Sequence, residues 1–373
     1  MKWSRLFNIS ILSVLIAVTF GCTGSQNRDE EEDSRESKKV EKIRVRPPVD
    51  LTGYATQPGQ MDSIVARVER FKPGYTPAMA AKWKTVVAPH DDYAYAKHLY
   101  PAVLRGINTQ TVVIFGVAHK AAEFGIENQL VFDSFNRWKA PYGDVKISPL
   151  RSYLINHLPE YARIVDDSLQ MSEHSVEALV PWLQYYHRGL EIVPVLVPAM
   201  SYDTMLVRAR QMAKALAQYA VEKNLSWGDD FALVISSDAV HYGDEGWGGK
   251  NLAPFGADMD GFVKALKKER KIVDMLKGRL VEENIREFYA ITLNPEDYHE
   301  YQWTWCGRYS IPVGLLTSLR LKEELVVQDL EGTFTGYNTS IDGDPLQVED
   351  LGMGVTAPAN YHHWVGYFTM GWR

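Results

Sequence analysis

Cysteine is scarce in this chain, with two in 373 residues at positions 22 and 306. That number excludes a disulfide framework as the source of stability. Positive charge is also short: 40 Lys and Arg against 47 Asp and Glu leave a formal net charge of −7 and a pI near 5.8. Phosphate recognition wants a basic face, so nucleic acid is not expected as the main partner. Long apolar runs are missing too, and the one near the N-terminus is too short for a comfortable membrane span. From about Asp50 onward there is no further linker, low-complexity tract or internal repeat. What is present is an ordinary globular mixture, 46% hydrophobic and 23% charged, long enough for one large domain or two ordinary ones. The 12% aromatic content suits a large core or a pocket lined with rings.

The first residues bear on the compartment. "MKWSRLF" is a basic start, "NISILSVLIAVTF" is an apolar middle, and Gly21–Cys22 supplies a small residue before cysteine. The layout resembles a bacterial lipobox, in which the cysteine is lipidated and becomes the mature N-terminus, although Thr19 and Phe20 depart from the usual pattern. An ordinary signal peptide that contains a cysteine is the alternative. Residues 1–21 are therefore expected to be a lipoprotein-type signal peptide, with Cys22 carrying the lipid that tethers the protein in the bacterial cell envelope, on the periplasmic side or the outer surface. Residues 22–50, with five consecutive acids at 29–33, are expected to be a disordered acidic tether, and residues 51–373 a single domain. The acidic run resembles a surface-display signal of some Gram-negative lineages, or is simply a solvated linker. With Cys22 lipidated, Cys306 is the only thiol left.

Strands are expected at 85–88, 111–117, 129–135, 191–197 and 231–237. Helices are expected at 96–107, 173–187, 202–223 and 311–320, with kinks or late starts at Pro101 and Pro181. The alternation predicts an α/β fold with a largely parallel central sheet and helices on both faces. The apolar strands suit burial on both faces.

His90 follows the strand at 85–88, His119 follows the strand at 111–117, and Asp238 with His241 follow the strand at 231–237. In a parallel sheet the C-terminal strand ends share one edge, where sites form. His174, in "SEHSVE", opens the second helical segment, and Ser172 or Glu173 would serve its first turn. Cys306, in "WTWCGRYSIPVG", precedes the last helix. A lone histidine at a strand end is more often a hydrogen-bonded loop residue than a ligand, but three strand ends of this kind converge on one edge. Asp91 and Asp92 are turn residues or acceptors that orient His90. His98, His157, His187, His299, His362 and His363 read as surface or helix-end residues.

The segments "APHDDYAYA", "IFGVAHK", "SEHSVEALVPWLQ", "ISSDAVHYGD", "WCGRYSIPVGLL" and "GYNTS" resemble, in order and spacing, those of the Memo family, also called AmmeMemoRadiSam system protein B. The resemblance spans roughly residues 80–340 and implies a fold similar to class III extradiol dioxygenases. It also implies that His90, His119 and Cys306 bind a metal ion, and that Asp238, His241 and His174 are further pocket residues. Departures are Asp91 and Asp92, where the family more often has a small residue and Gly, and Lys120, where a second histidine is frequent.

Two imidazoles with a thiolate or carboxylate leave coordination positions open. Iron or copper is the expected ion, with zinc as the alternative. Three functions follow. A metal-dependent redox enzyme would act on a small molecule, with His241 or His174 as acid/base and Asp238 orienting it. A non-catalytic module would bind a peptide or an anion at the same rim. A zinc hydrolase would activate water there.

Overall fold

The apolar runs do become doubly covered strands in the computed structural model, which describes residues 43–71 and 82–373. In chain order the strands are β1 (Val45–Arg46), β2 (Thr85–Ala88), β3 (Thr111–Val117), β4 (Leu130–Phe132), β5 (Arg137–Trp138), β6 (Val145–Ile147) and β7 (Arg163–Val165). They continue with β8 (Glu191–Val197), β9 (Phe231–Ser236), β10 (His241–Gly243), β11 (Gly278–Arg279), β12 (Glu331–Thr339) and β13 (His363–Trp372). All join one sheet, whose main order is β1-β5-β6-β8-β3-β9-β2-β13-β12-β11. The five central strands β6, β8, β3, β9 and β2 run parallel, and the flank β2-β13-β12-β11 is antiparallel.

Alternate residues of the central strands feed two separate cores. Val87, Val113, Phe115, Val193 and Ile235 pack on one face, with the helices Tyr202–Lys223 and Ser310–Glu324. Val86, Val112, Ile114, Ile192 and Val234 pack on the other, with the helices Pro58–Phe71, Leu99–Leu104 and Val180–Tyr186. Burial on both sides explains why these strands read as unbroken apolar runs instead of an alternation.

Several elements differ from expectation. The expected strand at 129–135 shortens to β4, which pairs with β7 and touches β8 only at Val131–Leu196. The segment 96–107 becomes two short helices, Tyr93–Ala96 and Leu99–Leu104, broken at Lys97, whose φ is +40°. The helix expected at 173–187 starts only at Val180, because Pro181 lacks an N–H and fits a first turn. Residues 175–179 instead form turns. The helix Tyr202–Lys223 matches its expected bounds, capped by Ser201 at its start and by Asn224 in the left-handed region at its end.

Strands β12 and β13 were not anticipated. "HWVGYFTMGW" is buried at every position and interrupted by two glycines, so it carries neither alternation nor a clean β-branched run. The tether boundary also needs correction. The expected signal segment 1–21 and residues 22–42 of the tether lie outside the described residues, but 43–50 are built into the fold. Val45–Arg46 pair with β5, and the Arg46 guanidinium is buried against Glu177 at 2.6 Å and the carbonyls of Gln170 and Glu173. A charge whose partner lies more than a hundred residues away cannot be recognised as buried from local composition. Among the described residues no helix is long and apolar enough to cross a membrane.

Candidate metal centre

β3, β9 and β2 are neighbours, and each carries a polar residue two positions beyond its last strand residue: His119 after Val117, Asp238 after Ser236, and His90 after Ala88. The shared direction of the parallel strands therefore brings the three to one edge, as the sequence reading expected. Cys306 arrives from the loop before the helix Ser310–Glu324. That loop lies alongside the residues after β9, with a bridge between Val240 and Trp305 and the His241 N–H donating to the Thr304 carbonyl at 3.0 Å. Gly307 is required at this approach, since a Cβ there would stand 2.1 Å from the Ser237 hydroxyl oxygen.

The two imidazoles converge on one sulfur. His119 Nε2 is 2.9 Å from Cys306 Sγ, and His90 Nε2 is 3.2 Å from it. Their far nitrogens decide the tautomers. Glu173, a buried carboxylate that can only accept, takes the His119 Nδ1 proton at 2.9 Å and the Lys120 N–H at 2.8 Å. Ser236 gives its single hydroxyl proton to the Ser175 carbonyl at 2.5 Å, so it must accept from His90 Nδ1 at 2.8 Å. Both rings thus carry a proton on Nδ1 and turn Nε2 toward the sulfur. Outer acceptors fix metal-ligating histidines in the same way.

His174 stacks on His119, with centroids 4.9 Å apart and planes 9° from parallel, and meets His90 edge-on. His241 stands beside Trp247, and its buried Nε2 has no hydrogen-bond partner. Asp238 accepts the His90 backbone N–H at 2.9 Å and sits 3.3 Å from His90 Nε2. The orienting role expected for Asp238 toward His241 or His174 needs correction. Its hydrogen bond goes to His90, because both residues leave adjacent parallel strands at the same level. Asp91 and Asp92 do not orient the His90 ring either: Asp91 accepts from Tyr367 at 2.7 Å, and Asp92 accepts from the Thr356 N–H at 2.6 Å.

Burial dominates the electrostatics. It pushes His174 and His241 down to about 3, with repulsion from His119 as the next cause. His90 is lowered well below its ordinary value by burial and then by His119. Burial also opposes charge on His119, but attraction to Cys306 and its contacts with Cys306 and Glu173 outweigh it, and that ring is held well above its usual range. Asp238 is raised well above a normal carboxylate by burial and then by Asp91.

This donor set fits a metal ion. The ligand atoms of His90, His119 and Cys306 all lie within 4.8 Å of one another, as do those of Asp238, His241 and Cys306, and those of His119, Glu173 and His174. A tetrahedral site separates imidazole nitrogen from thiolate sulfur by about 3.5 Å, slightly more than the spacings here. The unpartnered Nε2 of His241 faces a cost that a ligand would remove.

Beyond the trio, a cavity of about 340 Å³ is lined by His119, His241, Trp247, Tyr301, Cys306 and Arg308, among others. A second, of about 470 Å³, shares His119, Tyr301 and Arg308 with it and reaches His299. Glu173 was not expected in this role, although it directly precedes His174, and neither were Ser236, next but one to Asp238, and Arg308, two residues after Cys306. His363, expected at the surface, is buried and stacks on Trp247 at 3.8 Å.

A buried carboxylate underpins the loop that carries Cys306. Glu269 accepts from the indole N–H groups of Trp303 (2.5 Å) and Trp305 (2.7 Å), the Tyr337 hydroxyl (3.1 Å) and the Val240 N–H (3.3 Å). It ties the Cys306 loop to the segment between Asp238 and His241. Nothing around it in the sequence marks it, since it lies inside the charged helix Met259–Met275.

The model of the Memo-like protein family matches residues 52–347. A MEMO1 family protein of Pyrobaculum aerophilum is 29% identical over 213 residues, which cover 54% of this chain and 70% of that protein. One from Pyrococcus furiosus is 24% identical over 241 residues, covering 62% and 73%, and one from Aquifex aeolicus is 30% identical over 172 residues, covering 45% and 58%.

Proposed function

The chain belongs to the Memo-like protein family, and from that premise we propose that it is a metal-dependent redox enzyme holding iron or copper on His90, His119 and Cys306. The observation that carries this reading is the pair of fixed ring orientations: Ser236 and Glu173 hold the Nδ1 side of each ring, so both Nε2 atoms face the single sulfur. Iron or copper there would supply a redox couple and an open coordination position. Zinc would serve the hydrolytic alternative, and an ion without an open position would serve a binding module.

The chain's own residues then divide the work. Glu173 and Ser236 keep the ligand rings in orientation. Cys306 is held by the loop that Glu269 anchors. His241 keeps Nε2 without a protein partner and takes proton handling at that atom, with His174 behind His119 as the further candidate. Asp238 fixes the His90 backbone. We place the protein in the bacterial envelope through a lipid on Cys22, on the strength of the basic–apolar–small–Cys layout alone. Mass spectrometry of the native N-terminus checks this: a free Cys22 thiol would dismiss it.

The test of the site is elemental analysis of protein purified without added metal, beside the His90→Ala, His119→Ala, Cys306→Ala and His241→Ala variants. The first three lose most of the metal, while His241→Ala keeps it and loses turnover. Full metal content in His90→Ala and His119→Ala would defeat the reading. Loss of metal in His241→Ala would make His241 a ligand.

A further inference from the structure

The cavity in front of the trio has a one-sided chemistry. None of its lining residues is an acid, yet it contains Arg308 and Lys250. Among the described residues no carboxylate pairs with either cation. The Arg308 guanidinium lies over the Tyr301 ring at 3.9 Å, and its Nη2 donates to the Tyr301 hydroxyl. Nη1 makes two long contacts, 3.4 Å each, to the carbonyls of Trp305 and Cys306. Its Nε is buried with no partner at all.

Two more lining residues share that condition. Trp247 Nε1 and His241 Nε2 are also buried and unpartnered. A buried polar atom left unmatched costs about 1–3 kcal/mol, so native proteins keep few of them. Three around one cavity form a concentration of unused hydrogen-bonding capacity, and two of the three can only donate. The walls are flat: Trp247 is held against His363 with planes 9° from parallel, and Tyr301 carries the guanidinium on its face. The volume, about 340 Å³, is that of a small-molecule site.

We propose that this cavity binds a small planar carboxylate, whose anionic end is taken by Arg308 with Lys250 and whose ring lies against Trp247. A carboxylate is an acceptor-only, flat anion that matches the guanidinium fork and the unused donors together. An aromatic ring suits walls of indole and phenol better than a puckered one. The inference deepens the enzymatic reading and rests on it for which end of the ligand reaches Cys306 and its histidines. The anion contact itself does not depend on a metal ion.

The experiment is calorimetric titration of the full folded chain with benzoate, benzamide, cyclohexanecarboxylate and inorganic phosphate, with and without the metal it is purified with. Benzoate is expected to bind once per chain in both states. Benzamide and cyclohexanecarboxylate are each expected to bind at least about tenfold more weakly. Arg308→Gln should weaken benzoate by a similar factor, Arg308→Lys by less, and Lys250→Gln, on an exposed loop, by less again. If Arg308→Gln melts before titration, the benzoate–benzamide contrast and Lys250→Gln decide the matter. Absence of saturable benzoate binding, equal affinity for benzamide, or phosphate binding as tightly as benzoate would each overturn the assignment. Benzoate binding that depends on Arg308 in a chain that purifies without any metal leaves the assignment standing while the metal reading fails. Full metal content with benzoate indifferent to Arg308 gives the reverse.

Discussion

Two buried polar clusters meet at the segment from Trp303 to Arg308, and they are completed in opposite ways. At Glu269 one carboxylate receives four donors, and each of the two indoles it holds has its N–H matched. At the rim, the His241, Trp247 and Arg308 side chains each keep a buried nitrogen with no partner. Both clusters are sheltered from water and both are rich in aromatic rings, so burial and composition do not separate them. What separates them is whether the hydrogen bonds close within the protein. A closed network holds the loop in place, and an open one leaves hydrogen-bonding capacity unused.

Breaking the closed side should cost most. Glu269→Ala leaves two indole N–H groups, a hydroxyl and a backbone N–H without their acceptor, and is expected to destabilise the fold by about 3 kcal/mol or more in urea unfolding. Glu269→Gln keeps one acceptor oxygen and should cost roughly half as much. A loss below about 0.5 kcal/mol for Glu269→Ala would mean that the network is not what anchors the loop.

Glu173 combines the two conditions, closed toward Lys120 and, through His119, open toward the site. Glu173→Gln should lower stability by about 1 kcal/mol. Its larger consequence should be a metal affinity reduced by about tenfold or more, since the amide no longer fixes the His119 tautomer. Competition with a chelator measures that change, and unchanged affinity would detach Glu173 from the site.

A pH effect sharpens the contrast further. Glu269 has only donors around it, whereas Asp92, beside its Thr356 donors, has Asp91 and Asp50 as acidic neighbours. Burial first and Asp91 second raise Asp92 to about 7. A raised carboxyl binds its proton more tightly folded than unfolded, so its contribution is full below the unfolded value near 4 and is lost as pH rises toward about 7. Wild type should therefore lose stability relative to Asp92→Asn across that window, and the difference should level off above it. A difference that is flat with pH would remove Asp92 from the account.

The smallest change is expected on the open side. His241→Ala removes a nitrogen that has no bond to lose, and metal-free stability should move by no more than about 0.5 kcal/mol. A loss as large as that of Glu269→Ala would show that His241 is built into the fold and would collapse the comparison.

Legibility along the chain follows the range of the interactions. The helix Tyr202–Lys223 was readable to the residue because its caps, Ser201 and Asn224, are local. The central strands were readable because double burial leaves continuous apolar runs. The candidate site residues could be grouped on one edge because parallel strands end on the same side, a rule of topology that needs no coordinates. The antiparallel partners β12 and β13 escaped, since aromatic and glycine positions there follow packing against β2 and not a local period. Arg46 escaped for the same reason, as its burial depends on Glu177.

The sequence by itself determined which polar side chains this protein carries at the ends of its parallel strands, because residue type and strand direction are local properties. Only the tertiary structure decided which nitrogen of each histidine faces the sulfur. Ser236 and Glu173 make that choice from other segments, and a tautomer is set by whichever acceptor reaches the far side of the ring. It also decided that Glu269 is closed and Arg308 open. Whether a buried polar atom is satisfied depends on distances between segments remote in the chain, which no spacing along a single chain encodes.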